Sequence, residues 1–271
     1  MEEKNNVKEM TFLEHLEVLR WHLIRSISVL FVISVLAFIF HDFIFDHIII
    51  APKSPSFITN KLLCKLSRSI NIDAICINQH PFQLININMS GQFATHIMVS
   101  FIAGLVIAFP YVIFELWQFF KPALYENERK YTSGAIIYIS LLFFTGVLFG
   151  YFIIIPLTVH FLGTYQVSSQ VLNQINLGSY ISTVSSIALS SGLIFELPIL
   201  IFFLAKIGII THVFLKRYRR HAIIVILIVA AIITPPDVFS QTIVTIPLIA
   251  LYELSIIIAK KVTISREELA G

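Results

Sequence analysis

From Tyr131 to Phe195 the chain carries no aspartate, glutamate, lysine or arginine. A water-soluble domain keeps roughly a quarter of its residues charged, so this stretch belongs where charge is expelled. The remainder agrees: 57% of the 271 residues are hydrophobic, only 13% are charged, and the mean hydropathy is +0.85. An integral membrane protein follows. A spanning helix needs about 20 apolar residues. Six runs are candidates: Trp21 to about Phe45, Ile97 to Phe120, Ser133 to about Leu162, about Val184 to Leu204, Ala222 to Ile233, and Gln241 to Ala259. Their apolar residues are continuous rather than alternating, which excludes a β-barrel. No linker of disordered composition divides them, so residues 1–271 read as one polytopic all-α domain.

Orientation follows from lysine and arginine, which gather on the cytoplasmic side. With the N-terminus inside, that side holds Lys4, Lys8, Arg20, Arg25, Lys121, Arg129, Lys130, Lys206, Lys216, Arg217, Arg219, Arg220, Lys260, Lys261 and Arg266, 15 of the 19. Lys53, Lys61, Lys65 and Arg68 fall together in one outer loop. Six spans with both termini inside are expected. The net charge of +3 reflects this asymmetry and does not point to nucleic acid. The first 20 residues are polar and acidic, with no cleavage-site pattern after the first span, so that span reads as a retained helix.

The last two spans look short. Ala222 to Ile233 is 12 residues, about 18 Å of helix against a hydrocarbon core of about 30 Å. Thr234-Pro235-Pro236-Asp237 stops it, and the last run is little longer before Glu253 and Lys260. Two readings stand: short helices packed behind longer ones, or a locally thinned bilayer. The first outer loop, about His47 to His96, is unusually long and contains Cys64 and Cys76. A disulfide is permitted on the outer face, while two buried free thiols are the alternative. Leu62, Leu63, Leu66 and Ile70 recur at helical spacing and suggest an amphipathic cap. Thr11 to Arg20 reads as a short interfacial helix with a capping box formed by Thr11 and Glu14.

Glu196 lies inside the fourth run, where a carboxylate is costly and needs a wet cavity or a partner. It reads as a functional group first, and otherwise as a packing hydrogen bond to a neighbour such as Gln241. Pro198 leaves the Ile194 carbonyl without its helical donor, which makes the place more polar. Glu115 and Glu253 lie near span ends and read as structural, snorkelling or pairing with Lys260 or Lys261. The nine histidines are scattered with no metal-binding spacing, and no nucleophile elbow or phosphate loop is present. Neither an enzyme nor a bound cofactor or metal is expected.

One further stretch needs an account. Phe119-Phe120-Lys121-Pro122-Ala123-Leu124-Tyr125-Glu126-Asn127-Glu128-Arg129 closes the second run with aromatic bulk, a helix-breaking proline and an acidic tip. Carboxylates held there suit a cationic ligand arriving at the membrane surface. Taken alone, Glu128 would more often pair with Arg129 or Lys130 in solvent. The stretch does not stand alone. With Leu13-Glu14-His15-Leu16-Glu17-Val18-Leu19-Arg20, Phe195-Glu196-Leu197-Pro198 and Thr234-Pro235-Pro236-Asp237-Val238-Phe239-Ser240-Gln241 it resembles the TatC family, the multispanning component of the twin-arginine protein translocase. The resemblance runs from about Phe12 to Lys261.

That resemblance implies a receptor and scaffold for export of folded proteins across the bacterial inner membrane, driven by the proton-motive force. It implies TatA- and TatB-type single-span partners and self-association within the translocase. Glu128 would be the main carboxylate for paired arginines, with Phe119, Leu124 and Tyr125 shaping the site and Arg20 beside it. Glu196, Asp237, Gln241 and Pro52 would serve partner helices or the inserted signal peptide. The family's N-terminal pattern is His-Leu-x-Glu-Leu-Arg, whereas Val18 stands here at the acidic position. Glu17 or Glu126 is expected to supply part of the missing charge. Two other classes make different demands on the sequence. A proton-coupled transporter using Glu196 would show repeated halves, which the sequence lacks, and a passive scaffold would leave Glu128 dispensable.

Overall fold

The computed structural model describes residues 12–72, 76–79, 82–120, 132–168, 170–171, 173–234 and 238–270. Ten helices are labelled here: α1 (Phe12–Ile39), α2 (Ile58–Ile70), α3 (Gly91–Phe120), α4 (Thr132–Phe149), α5 (Ile155–Thr164), α6 (Leu177–Phe195), α7 (Leu197–Ile207), α8 (His212–Arg217), α9 (Arg219–Ile233) and α10 (Val238–Ala270). A two-residue parallel pairing, β1 (Leu84–Ile85) with β2 (Ile175–Asn176), joins two loops. Among the described residues, five helical segments are long and apolar enough to cross a membrane: Leu16–Ile39, Gly91–Phe119, Ile136–Thr164, Leu177–Ile207 and Ser240–Thr263. Their outward residues are themselves apolar, as at Phe31, Val32, Ile137 and Leu193. Surface of that kind is covered by lipid or by partner helices.

Two expectations change. Among the described residues no separate interfacial helix precedes the first span, because α1 continues from Phe12 to Ile39 without a break. Its Leu, Glu and Arg residues are good helix formers, and nothing between Arg20 and Trp21 interrupts them. The capping position Thr11 lies outside the described residues. The last span is not short either: its apolar segment has 24 residues within the 33 of α10. Glu253 does not end it, since both carboxylate oxygens take the Arg219 guanidinium of α9. By contrast α9 has 15 residues, about 22 Å of helix.

The chain divides into two compact units, Met1–Ile39 with Ser100–Ser140, and Phe40–Val99 with Leu141–Gly271. In the first, α3 turns Ser100, Gly104, Ala108, Glu115 and Phe119 inward. The first three are small residues four apart, the spacing that lets membrane helices approach closely. A Cβ on Gly104 would meet the Ser34 backbone of α1 at 3.0 Å.

In the second unit, Ile154, Ile155, Ile181, Val184, Ile187, Phe195, Val244 and Leu248 form the core. Gly146 and Gly150, one helical turn apart, lie against α6. A Cβ on Gly146 would meet the Ser191 carbonyl oxygen at 2.5 Å, and one on Gly150 the Ser191 Cβ at 2.9 Å. Gly150–Ile154 is a widened π-turn just before Pro156. Proline offers no N–H to the carbonyl four residues earlier, and that carbonyl, on Phe152, accepts from the Thr59 hydroxyl instead.

The outer loop is fastened the same way. Asn60 donates to the carbonyls of Pro52 and Ser54 at 3.0 and 2.8 Å. Asn78 donates through Nδ2 to Pro156 O at 3.2 Å, and through its backbone N–H to His160 Nδ1 at 3.3 Å. Cys64 and Cys76 are placed as a disulfide, with Cα atoms 4.1 Å apart. Tyr151 and Tyr180 donate to the carbonyls of Ile48 and Ile49, holding the chain that leads into this loop.

Candidate functional site

In the first unit the site forms where α1 and the end of α3 meet. Glu115 is buried, with 4% of its surface exposed. Its Oε2 accepts from His22 Nδ1 at 2.6 Å and its Oε1 from the Tyr111 hydroxyl at 2.8 Å. Arg25 Nη1 stands 3.8 Å from the same Oε2. A buried carboxylate is retained when paired and hydrogen-bonded, and all three partners are supplied here. This departs from the snorkelling role expected of Glu115. The signal was in the sequence as His22, Arg25, Tyr111 and Glu115, but no spacing rule joins residues 93 positions apart.

Phe119, one turn beyond Glu115, is buried and meets the His22 ring edge-on with centroids 6.3 Å apart. The cluster therefore fixes Phe119 near the end of α3. Glu17 and Arg20 are exposed on α1, while Val18 is half-buried. One residue turns the helix by about 100°, which sends Glu17 to solvent and Val18 toward the protein. Glu126, Glu128, Leu124 and Tyr125 lie outside the described residues, as does Asp237.

In the second unit, Glu196 sits at the break between α6 and α7. The chain leaves helical hydrogen bonding there because Pro198 follows in the first turn of α7. The Glu196 side chain is half-buried, and its Oε1 has no hydrogen-bond partner among the described residues. Gln241 does not supply one: its Nε2 donates to Leu227 O of α9 at 3.4 Å. Pro52 is buried, and its carbonyl is taken by Asn60 and Asn78.

Where α8 leads into α9, His212, Lys216, Arg217, Arg219, Glu253 and Lys260 line an open cavity of about 610 Å³. On the other loop, burial lowers the Lys53 ammonium below its ordinary value, and its Nζ donates to Phe82 O at 3.2 Å. Among the described residues no group of three or more His, Cys, Asp or Glu is arranged for a metal ion.

The family model for Sec-independent protein translocase protein (TatC) matches residues 14–247. A TatC protein of Blattabacterium sp. subsp. Periplaneta americana (strain BPLAN) is 42% identical over 258 residues, covering 94% of this chain and 97% of that one. That of Helicobacter pylori (strain J99 / ATCC 700824) is 41% identical, covering 71% and 77%. A crystal structure described as the twin arginine translocase receptor TatC in DDM superposes with a TM-score of 0.69 at 31% identity, over 91% of this chain and all of the other. Fold, sequence and family model agree over nearly the whole length, and the chain belongs to the TatC family of Sec-independent protein translocase proteins.

Proposed function

We propose that this protein is the receptor and core subunit of a twin-arginine translocase in the bacterial inner membrane. It binds twin-arginine signal peptides at its cytoplasmic face and gathers TatA- and TatB-type single-span helices for export of folded cargo. The observation that carries this reading is the match to a structure described as a twin arginine translocase receptor, which spans 91% of this chain. Transport draws on the proton-motive force; the protein itself performs no enzymatic step and needs no cofactor. Several copies work together in one polytopic assembly.

Five segments among the described residues are long and apolar enough to cross. In this reading α9 is the sixth crossing, shorter than the bilayer core, with both termini inside. Glu128 is the principal acceptor for the paired arginines, over an aromatic base that includes Phe119, with Leu124 and Tyr125 lining the tip. Guanidinium and carboxylate form two parallel charge-assisted hydrogen bonds, a geometry that lysine does not reproduce. Glu17, exposed on α1 near Arg20, and Glu126 share the charge that Val18 does not provide. Glu196, Asp237, Gln241 and the buried Pro52 mark where partner helices or an inserted signal peptide are received. An intramembrane carboxylate with an unpartnered oxygen is suited to a polar group on an incoming helix.

The test is export in the host. With the native gene replaced by Glu128→Ala, a folded cargo carrying a twin-arginine signal should stay in the cytoplasm while the variant accumulates in the membrane. Export at the native rate would overturn the receptor role.

A further inference from the structure

Helix α2 is amphipathic in the reverse of the usual sense. Its polar residues Asn60 and Ser67 are turned into the protein, at 1% and 2% exposure. Its Ile58, Leu62, Leu66 and Ile70 point away from it, at 66%, 64%, 48% and 50%. These four recur every fourth residue and make one stripe along the helix. Lys61, Lys65 and Arg68 are exposed beside the stripe on a single flank. In water such an arrangement would leave a bare apolar face.

The depth of the helix says what covers it. Thr59 is bound to the Phe152 carbonyl, and Asn78, close to the disulfide-linked Cys76, is bound to that of Pro156. Both carbonyls lie inside the apolar segment Ile136–Thr164, not beyond it. Counted from Ile136 they stand about 24 and 30 Å along the helix, so with a hydrocarbon core about 30 Å thick that begins at Ile136 they lie toward its far edge. A helix held at that level, with an apolar stripe and cations on one flank, matches an interfacial membrane helix. Cations near a surface of anionic lipid are attracted to it.

We propose that α2 is a lipid-binding element: its Ile58, Leu62, Leu66 and Ile70 stripe inserts at the acyl–headgroup boundary, and Lys61, Lys65 and Arg68 contact phosphates of anionic phospholipids. Insertion itself stands on the geometry of this loop. Only its assignment to the outer leaflet rests on the orientation proposed above.

The experiment uses the full chain in vesicles of phosphatidylcholine with increasing phosphatidylglycerol. Leu62→Trp and Leu66→Trp are compared with the parent protein as background. Each new indole should be quenched by lipids brominated near the top of the acyl chain and shielded from aqueous acrylamide. Quenching by acrylamide with none by bromolipid would overturn the proposal, and so would protection from both, which would mean a second copy or another protein covers the stripe. Adding Lys61→Gln, Lys65→Gln and Arg68→Gln should abolish the increase of bromolipid quenching with phosphatidylglycerol; an increase that persists would remove the cations from the site. Separately, Ser56→Cys should react with an impermeant maleimide from outside only. Reaction from inside would reject the orientation while leaving the insertion result intact.

Discussion

Glu115 shows what a single residue can and cannot disclose. Its place near the end of an apolar run made a snorkelling carboxylate the natural expectation. The fold buries it instead against His22, Tyr111 and Arg25. Two of those partners come from α1, and pairing between helices is a tertiary property that periodicity does not carry. Glu17 and Val18 were legible by contrast, because their difference is one step around a helix. Glu115→Ala should destabilise the detergent-solubilised protein by about 1–3 kcal/mol, for the buried donors left without an acceptor, and so lower its thermal midpoint. Glu115→Gln, which keeps an acceptor for Tyr111, should lose less. A native midpoint for the alanine variant would show that the cluster does not hold α1 to α3.

Among the elements, the sequence located each of the five segments long and apolar enough to cross a membrane, but misplaced several ends. It read a break near Arg20 and a stop near Glu253, where α1 and α10 continue. In the second case the compensating charge, Arg219, lies on another helix. The shortness of α9 was legible, since Thr234 and the two prolines after it mark its end. The Gly146-Val147-Leu148-Phe149-Gly150 spacing is a recognisable close-packing signal, yet only the fold shows that α6 is its partner. Gly146→Val should force the two helices apart, since even its Cβ would meet Phe195 Cβ at 2.7 Å. Overpacking of that kind costs about 1–3 kcal/mol. Thermal unfolding in detergent checks it: a midpoint equal to that of the native chain would mean the contact is not tight. Gly134, whose Cβ would have no neighbour closer than 3.9 Å among the described residues, serves as the control for the same substitution.

At the scale of the molecule, the uncharged stretch from Tyr131 to Phe195 contains α4, α5 and α6, and from Leu141 onward it belongs, with α7 to α10, to the second unit. Membership of the bundle class was legible from composition. The division into two units was not, because it depends on which distant segments touch. The candidate receptor surface was legible mainly through motif resemblance, with Phe119 as the member that the fold ties to a defined neighbour. The account stands or falls on discrimination between arginine and lysine. Binding of a twin-arginine signal peptide to the purified protein should exceed that of its twin-lysine form by about tenfold or more, since charge-assisted hydrogen bonds contribute about 1.5–3 kcal/mol each. The difference should shrink with added salt and vanish in Glu128→Ala. Equal affinity for the two peptides at low salt would contradict the receptor assignment.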